Sequence, residues 1–411
     1  MTFPTPIVSA LSKSFTKVLM ENKNKKNAEE ECSIDGDILA SILSSLPLLD
    51  LDSACHVSKS WNRAVFFSLN RLKSTPWLFL YKQRTHPPYT MAATATAYDP
   101  KSERWIELTT ASSSSPVEHV SAARSSHSTL LYALSPARFS FSLDAFHLTW
   151  RHVAPTRVWR IDPIAAVVGR RLIVAGGVCE FEDDRLAVEL LDVGSGDEEE
   201  AAWERCESMP QCLSGSASST WLSVAVSAGT MYVTEKRSGV ACRFDPETKS
   251  WTELLDFSPD GCRLYSRAIG FAGNRLLMAG ITGDEDDPTG IELWEVVVVP
   301  AESGKRLKFE SIGSMPEECL ERLRGIDSDW PLASIAFDAV GDMVYVHNAA
   351  ETGEIVAAEM EGGKLCKWRT LRNADARGHA GERLIVACSD VSFSDLKRAF
   401  RDDLSFSVVA V

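Results

Sequence analysis

The chain has 411 residues, 45% hydrophobic and 24% charged, a globular composition long enough for one large domain or two unequal ones. Its formal net charge of −14 argues against a general binder of nucleic-acid backbones, which needs a basic face to release counterions. Ten cysteines lie scattered with no CxxC pair, which gives neither a disulfide framework nor a zinc site and points to a reducing compartment. No run approaches the roughly 18 uninterrupted apolar residues of a membrane span.

Residues 1–32 are expected to form a disordered leader. The first 20 lack acids but carry no Arg, which makes a transit peptide the weaker reading, and "ENKNKKNAEEE" continues the polar stretch over 21–31. Next comes "IDGDILASILSSLPLLDLDSACHVSKSWNRAV" at 34–65. Ile38, Leu39, Ile42, Leu43 and Leu46 fall on one side of a helix that Asp35 can cap and Pro47 ends. Asp50 is the expected cap of a second short helix bearing Leu51, Ala54, Cys55 and Val57, and Ser58 of a third carrying Trp61 and Val65. Three short helices cannot bury so much apolar surface among themselves. The plain reading is a helical subdomain packed on the rest of the chain.

The residue order goes further. The pattern D-I-L-x-x-I-L-x-x-L-P-L-x-D-L from Asp37, followed by Cys55, Val57 and Lys59-x-Trp61, closely resembles the F-box over about residues 33–75. Ser33-Ile34 stands where that family usually opens with Leu-Pro, the loss of a preferred first-turn Pro. The resemblance implies docking on a Skp-type adaptor, and through it on the cullin and RING subunits of an SCF ubiquitin ligase. The interface would draw on Ile38, Leu39, Ile42, Leu43, Leu46, Pro47, Leu51, Cys55, Val57 and Trp61. Some of these must instead hold the three helices together, and sequence alone does not divide the two roles.

"STPWLFLYKQR" at 74–84 reads as continuing the helical linker and then entering the next domain, with the linker placed at 76–88. From 89 to 411 the pattern changes to short apolar runs between polar turns. "YDPKSERWIEL" at 98–108 returns as "FDPETKSWTEL" at 244–254, with weaker echoes elsewhere. Trp105, Trp150, Trp203 and Trp251 are spaced by 45, 53 and 48 residues, and Phe309 stands between Trp251 and Trp368. A second element precedes most of these, most clearly "RRLIVAGG" at 170–177, then runs at 230–237, 275–281, 342–348 and 129–135. A sixth, "ERLIVACSD" at 382–390, lies beyond the last Trp, while the first Trp element has no run before it. The unmatched halves complete each other, as closure of a β-propeller requires. Order and period resemble the kelch repeat over about 88–390, although only Gly176-Gly177 keeps the family's double glycine. Six blades fit best, with five and seven as alternatives. The predicted class is therefore mixed, an all-α F-box followed by an all-β kelch-type propeller closed by its two ends.

On such a scaffold specificity belongs to the loops. The acidic runs 180–185, with Glu182, Asp183 and Asp184, and 283–290, with Asp284, Glu285, Asp286 and Asp287, are expected on one face. A third run at 194–200 is expected on the other. Solvated loops are the plain reading; attraction of a basic partner segment is the sharper one. The 284–287 spacing is not that of an EF-hand. The eight histidines form no HxH or HExxH, and no GxSxG or phosphate-cradling loop occurs, so no cofactor and no metal are expected. An F-box joined to degenerate kelch repeats resembles a large plant family, which implies a non-catalytic receptor for an unknown protein substrate in the cytoplasm or nucleus. The alternatives are a non-degradative interaction scaffold and, less favoured, a propeller oxidase.

Overall fold

A computed structural model describes residues 36–68, 74–110, 118–119, 123–127, 129–194, 202–252, 254–285, 287–301, 304–324, 332–348, 354–372, 382–401 and 404–409. It separates into two compact units. One comprises the chain up to Leu78, Ala93–Ser114 and the chain from Asp390 onward; the other comprises Phe79–Ala92 and Ser115–Ser389. Asp35 and Cys32 lie outside the described residues.

Among the described residues up to Leu78, the first unit holds three short helices: α1, Gly36–Ser44; α2, Leu48–Cys55; and α3, Lys59–Ser68. The chain leaves α1 through i→i−3 bonds from Ser45 and Leu46 to the Ile42 and Leu43 carbonyls, the tightened last turn of a helix about to stop. Lys101 donates to the Leu46 carbonyl at 2.8 Å, placing a cation at the negative end of α1. Pro47, with φ −57°, occupies the N-cap position of α2. Asp50 therefore lies inside the first turn rather than capping it. The preceding Pro supplies an extended entry and α2 starts earlier than the expected cap. Ser58 does cap α3, its Oγ accepting from the Trp61 amide at 3.2 Å.

This unit also contains α5, Phe393–Arg401, named here ahead of α4, Glu317–Arg324, in the second unit. Ser392 and Asp395 form a reciprocal capping box at the start of α5: the Asp395 amide donates to Ser392 Oγ at 3.3 Å and the Ser392 amide to Asp395 Oδ2 at 2.9 Å. Lys397 lies 3.9 Å above the Phe66 ring, a cation–π contact that joins α5 to α3.

The strands form six antiparallel sheets, the blades of a propeller. Five follow chain order. Their innermost strands are Arg124–His127, Ile164–Val168, Leu222–Val226, Leu264–Ala272 and Ile335–Val340, each followed outward by three more, with a further short strand, Leu255–Asp256, paired to the third strand of the Leu222–Val226 sheet. The second strands, Leu130–Leu134, Arg171–Ala175, Met231–Glu235, Arg275–Gly283 and Met343–Asn348, are the five runs read from the sequence. Phe309, expected to stand in for a Trp, lies on the fourth strand of its sheet, opposite Val296.

The repeated Asp-Pro element has a physical reason. Asp99 and Asp245 each accept a hydrogen bond from the amide two residues on, at 3.0 and 2.8 Å. Glu103 and Lys249 then turn the chain at φ 53° and 54°. Tyr98 and Phe244 thereby face Trp105 and Trp251 across the hairpin, with ring centroids 5.3 and 5.0 Å apart at the same 54° tilt. The apolar core lies between successive sheets. Leu130, Tyr132 and Phe139 of the first pack against Leu172, Leu191 and Trp203 of the second, and Phe139 meets Trp203 edge-on at 5.4 Å.

The sixth sheet runs Glu382–Val391, Thr75–Arg84, Tyr89–Asp99, Arg104–Thr110, Leu404–Val409, with Glu118–His119 paired to Tyr89–Thr90. Both ends of the chain do build it, but two expectations are corrected. Residues 75–84 are a strand and not a helical linker, because Trp77 to Leu80 are buried on both faces of a sheet. They supply the run that the first Trp element lacked. Residues 382–391 are consequently the innermost strand and not a second one. Gln83, 1% exposed, holds this closure within the second unit. Its amide nitrogen donates to the Tyr89 carbonyl at 3.0 Å, and its Oε1 accepts from the Ala123 amide and from Arg383, both at 2.9 Å.

The double glycine marks a close approach. Gly176 and Gly177 adopt φ 62° and 60°, and a Cβ on Gly177 would sit 2.1 Å from the Pro163 nitrogen. Beside them Arg160, 1% exposed, donates to the Gly176 and Ala187 carbonyls at 2.6 and 2.9 Å and to Glu189 at 3.0 Å. Burial pulls this guanidinium below its ordinary pKa, and Glu189 opposes the shift.

Two substitutions test this packing by thermal unfolding. Gln83→Ala leaves a buried amide without its acceptor and is expected to cost about 1–3 kcal/mol. Trp203→Ala, at a site 2% exposed, is expected to cost about 3–5 kcal/mol, whereas Trp221→Ala, at 46% exposed, should stay within about 0.5 kcal/mol.

Candidate functional site

Within the first unit the helices divide the ten apolar residues read from the sequence. Leu39, Leu43, Leu51 and Cys55 are buried, with Leu48 and Val65, and form the small core that joins the helices. Leu46, Pro47 and Trp61 are half-buried. Ile38 and Ile42, one turn apart on α1, are 56% and 48% exposed, and Val57 after α2 is also exposed. Phe66 and Phe67 on α3 are 50% and 74% exposed and were missed. Their signal was the apolar pair that continues α3 past Val65.

Within the second unit the loops joining second to third strands share a face with the segments leading into the inner strands. The run 180–185 lies there, as do Asp284, Glu285 and Asp287 of the second run, whereas its ends, Gly283 and 288–290, belong to the flanking strands. Their charges are largely met. Asp184 accepts from Arg205 at 2.7 Å and Ser208 at 2.6 Å; burial pushes its carboxyl up, but these bonds hold it below the usual range. Asp284 pairs with Arg263 at 2.8 Å, and Glu285 with Arg237. Glu182 accepts from the Trp159 amide at 3.3 Å. Asp183 and Asp287 are exposed. Asp286 lies outside the described residues, as does 195–200 of the third acidic run.

Aromatic and aliphatic side chains stand out on the same face. Phe181, inside the first acidic run, is 96% exposed; Trp159, Ile161 and Trp221 are exposed as well. Cys179 donates its amide to the Trp159 carbonyl at 3.1 Å, and Thr220, beside Trp221, donates to Asp162, beside Ile161, at 3.1 Å. The four residues therefore belong to one linked set of loops. Phe181 and Ile161 sit singly between charged residues, and Trp159 and Trp221 each beside one apolar neighbour, so no local pattern marks them.

At the inner-strand ends of this face opens a cavity of about 500 Å³, lined by Arg124, Lys236, Asp338, His347 and Arg383 together with small and apolar residues. Asp162 ties its rim together, accepting from Arg124, Ser219 and Thr220. Burial raises this carboxyl, but these partners hold it below its ordinary value. His347 Nε2 lies 3.5 Å from Asp338 Oδ2. Among the described residues no three His, Cys, Asp or Glu side chains gather as a metal-ligand set. The nine described cysteines form no disulfide. No helix among the described residues is long and apolar enough to cross a membrane.

The model of the F-box domain matches residues 33–68. The chain is 75% identical over 382 residues to the F-box/kelch-repeat protein At1g23390 of Arabidopsis thaliana, covering 92% of this chain and 95% of that protein. Among solved structures, a putative 6-phosphogluconolactonase from Bacteroides uniformis aligns with a TM-score of 0.40 at 11% identity, over 77% of this chain and all of that one. That likeness is too weak to carry an argument. With an F-box match at 33–68, a six-bladed propeller and this plant relative along nearly its whole length, the chain belongs to the F-box/kelch-repeat protein family.

Proposed function

We propose that the chain is the substrate-recognition subunit of an SCF-type cullin–RING ubiquitin ligase. The reading rests chiefly on the division of the F-box into a sealed core and an exposed apolar set. Leu39, Leu43 and Leu51 satisfy the packing needs of the helices, so Ile38, Ile42, Val57, Phe66 and Phe67 have no role in that core. An apolar set of this kind costs solubility unless a partner covers it. A Skp-type adaptor, linking to cullin and RING subunits, is the partner that an F-box implies. Of the ten residues first considered, Leu39, Leu43, Leu51 and Cys55 serve this interface by holding its shape.

The target is a protein bound on the propeller face that carries Phe181, Trp159, Ile161 and Trp221. Large rigid side chains of this kind supply most of the energy of protein recognition. Asp184, Asp284 and Glu285, already paired with arginines, contribute loop shape more than free charge. The chain itself performs no chemistry; ubiquitin transfer belongs to the other subunits.

Co-purification with a Skp-type adaptor tests the first surface. Ile42→Asp is expected to weaken capture by about 2 kcal/mol or more without unfolding the chain, whereas Leu43→Ala should lower stability by about 2–5 kcal/mol. Adaptor binding unchanged in Ile42→Asp would overturn the assignment. For the second surface, Phe181→Ala combined with Trp159→Ala should leave the unfolding midpoint unmoved and abolish ubiquitylation of bound targets by the reconstituted ligase. Ubiquitylation at the wild-type level would place the target elsewhere.

A further inference from the structure

We propose that the cavity at the inner-strand ends of the second unit is a binding site for a small anion, a carboxylate or phosphate group on a compact organic body, held by Lys236, Arg124 and Arg383. Three side-chain cations and one carboxylate, Asp338, line the cavity; His347 approaches Asp338 at 3.5 Å, and Arg124 is paired with Asp162 at the rim, which leaves Lys236 and Arg383 as the cations with no carboxylate hydrogen-bonded to them among the described residues. This local excess is positive in a chain whose formal net charge is −14. Arg124, Lys236 and Arg383 are half-buried, so each is partly desolvated, and like charges gathered in one concavity attract a counter-ion.

The partners within the protein do not complete this neutralisation. The Lys236 ammonium has three donors, and among the described residues it has one hydrogen-bond acceptor, the Thr220 carbonyl at 3.0 Å. Asp162, the carboxylate that favours its charge, is already engaged by Arg124, Ser219 and Thr220. Arg383 donates to neutral acceptors, Gln83 Oε1 and the Ala123 carbonyl. Burial and the nearby charge of Arg124 both pull its guanidinium below the ordinary range. Burial pulls Lys236 down in the same way. An entering anion would accept from the remaining ammonium donors and relieve the repulsion between the two guanidinium groups.

The rest of the wall sets the class of ligand. Ser334 contributes a hydroxyl, while Leu222, Ile335 and Phe337 offer apolar surface. A volume of about 500 Å³ holds a small molecule or a single side chain. The anion therefore comes either from a free metabolite or from an acidic or phosphorylated side chain of a protein seated on this face. The assignment does not depend on the ubiquitin-ligase reading, since no adaptor takes part in its test.

The test is calorimetric titration of the full-length chain at constant ionic strength with inorganic phosphate, citrate, and capped peptides bearing one aspartate or one phosphoserine. Lys236→Met and Lys236→Arg are titrated alongside, with thermal unfolding to confirm that both remain folded. Saturable binding is expected, weakened about tenfold or more in Lys236→Met and largely restored in Lys236→Arg. Binding of phosphate or citrate alone identifies a free anion, and binding of the peptides identifies a partner's side chain. No binding by any probe, or equal binding by folded Lys236→Met, would overturn the proposal.

Discussion

Gln83 sits where the ring of sheets has to close. A strand left unpaired at either side of an open array would present a row of free amides and carbonyls. Closure joins segments about 300 residues apart, against the entropy of a very long loop. The Gln83 side chain meets the second strand's neighbour through Tyr89, the start of the first sheet through Ala123, and the innermost strand through Arg383. Because Gln83 is buried and bonded to three separate segments, a slipped register of closure would leave its amide without partners. An inter-blade tie repeats the logic on a smaller scale: Asp162 gathers Arg124, Ser219 and Thr220 from neighbouring blades, while within one blade Arg160 pairs with Glu189 beside Gly176.

The same closure builds the face on which the proposed sites lie. Because the inner strands converge, Arg124, Lys236 and Arg383, distant in sequence, come to line one cavity. No local spacing announces such a site. The Arg and Lys residues lie singly in strand ends, and their meaning arises only when the ring is complete. The exposed aromatics at 159, 181 and 221 are set by loops that rigid strands hold in place.

The elements that were legible in the sequence are those with a local physical cause. The Asp-Pro turn and its aromatic pair repeat because one hairpin geometry recurs at 98–105 and 244–251, and the second strands show as apolar runs because both faces are covered. The F-box helices were readable from one-sided periodicity and the Ser58 cap. Residues 75–84 were misread because a continuous apolar run after helices fits a helix as well as a buried strand. First and second strands carry the same apolar pattern, which is why 382–391 took the wrong place. The helices α4 and α5 escaped notice although each had a signal: Cys319, Leu320 and Leu323 on one face behind Pro316, and the Ser392–Asp395 box. The division of F-box residues into core and surface was out of reach, since Ile38 and Leu39 are adjacent and only the packed helices separate them.

The central claim, that an exposed apolar set on the F-box is a docking surface, is tested most directly by hydrogen–deuterium exchange of the full-length chain with and without a Skp-type adaptor. The account expects slowed exchange along 36–46 and 57–67, with 176–187 and 211–221 unchanged. Unchanged exchange over 36–68, or protection appearing instead in the propeller loops, would contradict it.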